Sequence, residues 1–370
     1  MKADVVIVGA GMAGASLAAE LAPHLSVIIV EAERHAGYHS TGRSAAFWSE
    51  TYGGPFIQPL TSASHDFLAN PPADFSDRGF LRPRGAVHVA DEGAAPLLDA
   101  MLRAFEGSIA LSRLDRPAIE ARIPGIRPGW SSGVQEASCA DIDVTGLHQA
   151  YLKAARAAGA QLVLDARLER ARRTGDGWRL ETVAGEVQAG ILVDAAGAWA
   201  DAVAVAADVP PVGVRPYRRT IAQLRIDPPA PPELPLVIDA RGRFYFKPEA
   251  GGRIWLSPHD ETPCDPCDSA AEEYDVALAI DRLAQVVDWR VERVEHKWAG
   301  LRSFAPDRLP VYGFADERRD FFWCAGQGGF GIQTSPAAAK MAAALLLGTV
   351  PDSMVAGISA EPYLATRFLT

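Results

Sequence analysis

Four cysteines in 370 residues, at positions 139, 264, 267 and 324, are too few for a disulfide framework. A reducing cytoplasm is therefore the expected location. An excess of positive charge is missing too, since 36 Lys and Arg stand against 46 Asp and Glu for a formal charge of −10. That balance excludes nucleic-acid backbones and anionic membranes as natural partners. The basic cluster at 170–173 is brief and interleaved, and reads as solvated surface. No stretch reaches the ~18–20 uninterrupted apolar residues of a membrane helix. The apolar first 25 residues do not suit a secretory signal, because Asp4 and Glu20 interrupt them and three glycines fall at fixed spacing. There is no internal repeat and no low-complexity tail. What is present is 48% hydrophobic and 22% charged: a soluble chain with ample core, long enough for two closely packed domains.

Parallel-sheet signals open the chain. Residues 4–9 are a β-branched run without alternation, as in a strand buried on both faces. Residues 12–22 are Ala/Leu-rich and helical up to Pro23, and 26–31 form a second buried strand, completing a βαβ unit. The stretches 54–140 and 210–310 differ. They are rich in proline, including Pro228, Pro229, Pro231, Pro232 and Pro235, and their short alternating runs, such as 242–247 and 252–257, predict an antiparallel sheet with exposed loops. Between them, 144–158 predicts an amphipathic helix capped by Asp143, with Leu147, Tyr151, Leu152 and Ala155 as its stripe and Gly159 as its stop. Strands are expected at 161–165 and 190–195, and a last helix at 336–347. The simplest architecture is α/β and interleaved. A Rossmann-type nucleotide domain takes 1–53, 141–209 and 311–370; an antiparallel-sheet substrate domain takes 54–140 and 210–310.

The sharpest motif is Gly9-Ala10-Gly11-Met12-Ala13-Gly14, between the first strand and helix. Gly9 allows a tight turn, Gly11 lets the backbone approach a pyrophosphate, and Gly14 allows close helix–strand packing. The phosphates would then face the positive end of the helix. Glu31, ending the second strand, is placed to accept from a ribose 2′-hydroxyl. This describes a dinucleotide site without separating FAD from NAD.

Further segments make that separation. They are His39-Ser40-Thr41-Gly42-Arg43-Ser44-Ala45-Ala46, Val193-Asp194-Ala195-Ala196-Gly197-Ala198-Trp199, Trp298-Ala299-Gly300-Leu301-Arg302-Ser303-Phe304, and Gly326-Gln327-Gly328-Gly329-Phe330-Gly331-Ile332-Gln333-Thr334-Ser335. Together they resemble the D-amino-acid oxidase superfamily of flavoproteins, which also holds glycine and sarcosine oxidases, and most nearly its D-arginine dehydrogenase branch. The resemblance spans nearly the whole chain. It implies bound FAD, held at Gly9, Gly11, Met12, Ala13, Gly14, Glu31, Ala32 and Arg34. It adds Ser40, Thr41, Gly42, Arg43, Ser44, Ala45 and Ala46, then Ala196, Gly197 and Trp199. The last contacts implied are Arg302, Gly328, Gly329, Phe330, Gly331, Ile332, Gln333 and Thr334, a glycine-rich loop whose N–H groups would meet charge developing on the reduced ring.

For the substrate, the resemblance places Arg302 as a bidentate clamp on a carboxylate. Arg219 aligns with a second arginine, with Arg218 as its competitor, and Tyr245 with a tyrosine that closes over the substrate. Tyr52 remains as a wall or hydrogen-bond partner. The implied reaction is hydride transfer from a D-amino acid to flavin N5, giving an imine and then a 2-oxo acid and ammonia; the alternative substrate is another small acid, an N-alkyl glycine or a 2-hydroxy acid. No general base is evident. His39 aligns with a segment through which some relatives attach flavin covalently, although the nearest branch resembles the non-covalent kind. The electron acceptor is a quinone or dye, or oxygen. Trp255 stands where sarcosine-oxidase relatives use a lysine to promote reaction with oxygen, which favours the dye or quinone. Relatives that accept cationic side chains line the pocket with a carboxylate. Here 82–89 contains no acid, Ala86 falls nearest that place, and Phe47 and Trp48 add aromatic bulk, so neutral D-amino acids are expected unless Glu50 points inward.

Cys264-Asp265-Pro266-Cys267 lacks the second pair a zinc site wants, with Cys139 and Cys324 remote, and it does not open a helix as a thioredoxin motif would. No metal site is expected, and the pair reads as a surface loop. His148 and His296 read as packing or surface residues.

Overall fold

The computed structural model describes residues 1–368. The first β-branched run becomes strand β1, Lys2–Val8, and the second becomes β2, Val27–Val30, parallel to it with Val5 opposite Val27. They sit in a sheet ordered Leu168–Thr174, Gly177–Thr182, Gly185–Asp194, β1, β2, Gln161–Val163. Phe321–Ala325 joins it in parallel beside the end of Gly185–Asp194. Val5, Val6 and Ile7 are fully buried whichever face they point to, which is why the run does not alternate. Helix α1, Met12–Leu21, packs on one face with Val144–Ala157 and Ser335–Leu347. Val144–Ala157 begins where the Asp143 carboxylate accepts from the Gly146 amide at 2.8 Å, and it buries the Leu147, Tyr151, Leu152 and Ala155 stripe. The helix Ala200–Ala206 covers the opposite face.

A second, larger sheet runs Gln327–Gly328, Arg290–Phe304, Arg215–Asp227, Arg253–Ser257, Tyr245–Glu249, Leu236–Asp239, Ala86–Ala90, Ser132–Glu136, Leu111–Leu114. Its pairs are antiparallel except that Leu236–Asp239 lies parallel to Ala86–Ala90. A parallel pair needs a long crossover, and the intervening chain, which passes through the strands of the first sheet between Gln161 and Asp194, provides one. One face of this sheet is closed by Glu273–Val286 over Ala222, Leu224, Phe246 and Leu256. The other carries Ile221, Tyr245, Trp255 and Trp298.

Residues 54–140 differ from expectation in holding three α-helices, Gln58–Ala69, Ala95–Ala104 and Arg116–Arg122. Pro59, Pro96 and Pro117 each sit in the first turn, where a missing N–H costs nothing and the fixed φ suits the helix. Those prolines begin helices rather than interrupt strands.

Candidate active site

Gly9 has φ +104° and its Cβ would lie 2.5 Å from the Ala195 carbonyl oxygen, while a Cβ on Gly14 would overlap the Gly9 carbonyl oxygen. Any side chain at these two positions pushes strand and helix apart. Gly11 is different: the only neighbour of its Cβ would be Thr41 Oγ1 at 3.4 Å, and it borders open cavity. Gly11, at the N-cap, has no side chain to cap α1 and no acid lies in its first turn, so among the described residues only the Met12 amide is taken and the rest of its positive end is left for an outside anion. Two side chains brace the loop: Thr41 Oγ1 accepts from the Met12 amide and His148 Nε2 donates to the Ala10 carbonyl, both at 2.9 Å. Burial holds His148 below the usual imidazole range, so it serves as a neutral donor to this loop rather than as simple packing.

Glu31 turns its carboxylate back on the same loop, accepting from the Ala10 amide at 2.7 Å and the Glu33 amide at 3.0 Å. It still borders the cavity, and a carboxylate has lone pairs left for a hydroxyl donor.

The cavity occupies 510 Å³ between the two sheets. The structure brings to its wall Gly9, Gly11, Met12, Ala13, Glu31 and Ala32 from the first βαβ unit, and Ser40, Thr41, Arg43, Ser44, Ala45 and Ala46 from the segment after it. Ala196, Gly197 and Trp199 join from the end of Gly185–Asp194, and Gly328, Gly329, Gly331, Ile332 and Gln333 from the approach to the last helix. Arg219 and Arg302 reach it from the larger sheet. The amides of Gly329, Gly331 and Ile332 have no backbone partner among the described residues. Gly14, Gly42, Phe330 and Thr334 stand behind the wall: Gly42 packs on the Gly37 carbonyl and Thr334 donates its hydroxyl to the Phe330 carbonyl. Arg34 does not reach the cavity, because its side chain is 85% exposed and lies 3.7 Å from Asp165. Sequence reasoning did not name Ala202, Val203 and Ala206, which line the cavity from Ala200–Ala206; small residues at i and i+4 were the available signal. His39 lines the cavity as well, with Nε2 2.9 Å from Glu33 and its ring 4.6 Å from Trp199.

At the larger sheet, Arg302 lies opposite Tyr217 in the ladder and Arg219 is two residues beyond, so both guanidiniums leave the same face. The Arg302 guanidinium donates to the Tyr52 hydroxyl, its one hydrogen-bond partner among the described residues. Arg219 donates Nε to the Asp260 carbonyl at 2.6 Å and an Nη to Glu261 at 3.0 Å, while its other Nη is buried without a partner among the described residues. The Tyr245 hydroxyl is likewise buried and unpartnered. Arg218, the competitor, is committed elsewhere, to Glu272 and Asp275. Phe47 joins the group, its ring 5.2 Å from Tyr52 and 5.7 Å from Tyr245. Burial first, and then the charges of Arg219 and Arg302, push His259 down to about 2. Its Nδ1 donates to the Gly242 carbonyl at 2.7 Å, so Nε2 is an acceptor. No motif announced this histidine.

Two buried hubs hold Tyr52 in place. Gln333 Nε2 donates to the carbonyls of Ser49 and Tyr52 and to Thr61 Oγ1, so its amide fixes the Tyr52 loop although the residue borders the cavity. Glu136, directly opposite Ala86 in the ladder, accepts from Ser49 Oγ, Thr51 Oγ1 and the Glu50 amide. Burial works against its charge, but His88 and these donors outweigh burial and hold the carboxyl below its usual range. There is thus an acid beside Ala86, contributed by the next strand, and it is wholly enclosed. Glu50 accepts from Ser62 and from Ser138 Oγ and does not line the cavity.

A family profile described as FAD dependent oxidoreductase matches residues 4–345. The chain belongs to this family. Glycine oxidase of Pseudomonas aeruginosa is 28% identical, with 95% of this chain and 96% of that one covered. FAD-dependent oxidoreductase domain-containing protein 1 of Bos taurus is 26% identical over 99% of this chain and 85% of its own. Among solved structures, glycine oxidase from Geobacillus kaustophilus superposes with a TM-score of 0.85 at 25% identity, covering 99% of both chains. L-α-glycerophosphate oxidase from Mycoplasma pneumoniae, with FAD bound, shares the fold with a TM-score of 0.82 at 18% identity over 94% of this chain and 95% of that one. The residues present fit that cofactor: the helix start at Gly11 would face a pyrophosphate, the Glu31 carboxylate a ribose, and the amides of Gly329, Gly331 and Ile332 the ring.

Proposed function

We propose that the chain oxidises a small D-amino acid with a neutral, apolar or aromatic side chain, yielding an imine that water converts to a 2-oxo acid and ammonia. The carrying observation is Arg302, a guanidinium at the wall of the cofactor cavity whose one partner is a neutral hydroxyl. A buried cation without an acid is costly, and a substrate carboxylate relieves it by bidentate, charge-assisted pairing. The unpartnered Arg219 nitrogen and Tyr245 hydroxyl supply further donors to the same anion. Bound FAD supplies the two-electron acceptor. The residues of the chain hold the carboxylate, exclude water with Phe47, Tyr52 and Tyr245, and align the Cα–H bond. His259, kept neutral, adds an acceptor and no charge.

The side-chain class follows from charge. Two guanidiniums face this end of the cavity. The nearby acids do not line it: Glu261 is taken up by Arg219 and Arg308, Asp260 by Thr220, and Glu50 and Glu136 by hydroxyls and amides. A cationic substrate side chain therefore meets no counter-ion. The test is steady-state turnover of D-alanine, D-leucine, D-phenylalanine, D-arginine and D-lysine with one acceptor. Neutral substrates should exceed D-arginine by at least about tenfold in kcat/KM, about 1.4 kcal/mol. D-Arginine as the best substrate refutes the pocket, and N-alkyl glycines or 2-hydroxy acids outpacing every D-amino acid refute the substrate class.

A further inference from the structure

Cys264-Asp265-Pro266-Cys267 lies outside the cofactor cavity, and the proposed oxidation does not use it. It follows the short strand Thr262–Pro263, which pairs with Tyr217 and Arg218. The two sulfurs stand 3.4 Å apart and both residues are half-buried. A disulfide needs about 2.05 Å, so closing it takes a small movement within a single turn. The remaining cysteines differ. Cys139 and Cys324 are enclosed, and burial pushes both thiols up, Cys324 to about 12, which leaves little thiolate at neutral pH.

Both flanks of the turn touch the site. On one side, the Asp260 carbonyl and the Glu261 carboxylate hold Arg219. On the other, Asp268 pairs with Arg43 and accepts from the Tyr38 hydroxyl at 3.0 Å, and the Ser269 carbonyl accepts from Arg43 at 2.7 Å. Tyr38 and Arg43 both line the cofactor cavity. A single turn, 260–269, thus joins an arginine of the substrate end to the segment beside the cofactor, with two adjacent thiols in its middle.

We propose that Cys264 and Cys267 form a reversible thiol–disulfide site that closes by exchange with a low-molecular-weight disulfide and stiffens the turn anchoring Arg43. The Cys267 thiolate attacks one sulfur of the reagent, forming a mixed disulfide and releasing one reagent thiolate. The Cys264 thiolate then attacks Cys267 Sγ, forming the internal bond and releasing the second. The protein gives up two electrons and two protons, and the reagent takes them up as two thiols. Cys267 attacks first because burial, and then the hydrogen bond to Cys267, raise the Cys264 thiol and keep its proton in place. Once closed, the turn holds Asp268 against Arg43, and FAD dissociates more slowly. The inference rests on the cofactor site and is independent of the substrate.

The experiment uses holoenzyme equilibrated with oxidised glutathione or with dithiothreitol. Thiols are counted by maleimide labelling after denaturation and mapped by peptide mass spectrometry, and FAD release on dilution is followed by flavin fluorescence. Four labelled thiols should fall to two, with Cys264 and Cys267 in one disulfide-linked peptide, and FAD release should slow by about twofold or more. Cys264→Ser should stop at a glutathione adduct on Cys267 with unchanged release. Asp268→Asn should form the disulfide without slowing release. Four free thiols in oxidised wild-type protein would overturn the site. A disulfide that leaves FAD release equal to that of Cys264→Ser would overturn its link to the cofactor segment.

Discussion

At the scale of single residues, two side chains at the candidate site differ in charge, one a cation and the other neutral. Arg302 is a cation whose described partner is a phenol, and its removal should leave the flavin spectrum intact while kcat/KM falls about 100-fold or more, as loss of a charge-assisted pair implies. Stopped-flow kinetics of Arg302→Ala with unchanged kcat/KM would make this arginine structural. His259 is a neutral ring among cations, with a folded value of about 2, below its ordinary 6.5. The unfolded chain therefore takes up the proton first as pH falls. The neutral ring's contribution to stability is whole above about 6.5 and is lost as the pH drops from there toward 2. His259→Gln should flatten the acid side of a Tm-against-pH profile of the holoenzyme, and an unaltered slope would show the ring to be open to solvent. The place of Arg302 at the cavity wall was legible in the sequence because a whole motif, Trp298 to Phe304, marks it. His259 was not, because what distinguishes it is burial beside Tyr245, Arg219 and Arg302, which no local pattern encodes.

At the scale of elements, the first βαβ unit separates binding from folding within one loop. Gly11→Val projects into open cavity, so the protein should fold with a wild-type circular dichroism spectrum and purify colourless. Gly14→Ala meets the Gly9 carbonyl, so it should lower Tm as well. Full FAD occupancy in Gly11→Val would show that this loop does not carry the pyrophosphate. The strand Arg253–Ser257 makes a second point. Trp255 Nε1 is held by Gln223 at 3.0 Å, and the Lys247 ammonium on the next strand lies 4.9 Å over its ring. That ammonium is paired with Asp141 at 2.9 Å and donates to the Ala46 carbonyl at 3.2 Å, so it offers no unpaired charge to attract superoxide. Reduced enzyme should reoxidise slowly in air and faster with a quinone or dye, and hydrogen peroxide formed at the dye-linked rate would reverse this. The βαβ unit was readable because strand, turn and helix are contiguous. Glu136 escaped because it meets Ala86 only through a ladder whose strands are far apart in sequence, and the helices of 58–122 escaped because their initiating prolines look like breaks.

At the scale of the whole molecule, two sheets face each other across one 510 Å³ cavity, and the division of labour follows from what each contributes. The first sheet brings amides, glycines and an acid, a surface for phosphates and ribose. The larger one brings Arg219, Arg302 and Tyr245, joined by Tyr52 from the loop after Phe47–Trp48 and by the neutral His259 from the loop after Arg253–Ser257, a surface for a small anion with an uncharged remainder. The decisive measurement is anaerobic mixing of holoenzyme with D-leucine, L-leucine or D-arginine while the oxidised flavin band is followed. D-Leucine should bleach it rapidly, with one 2-oxo acid and one ammonia formed per flavin, and L-leucine and D-arginine should bleach it at least about tenfold more slowly. A flavin bleached best by D-arginine, or left oxidised by every D-amino acid yet reduced by a 2-hydroxy acid, would contradict the account.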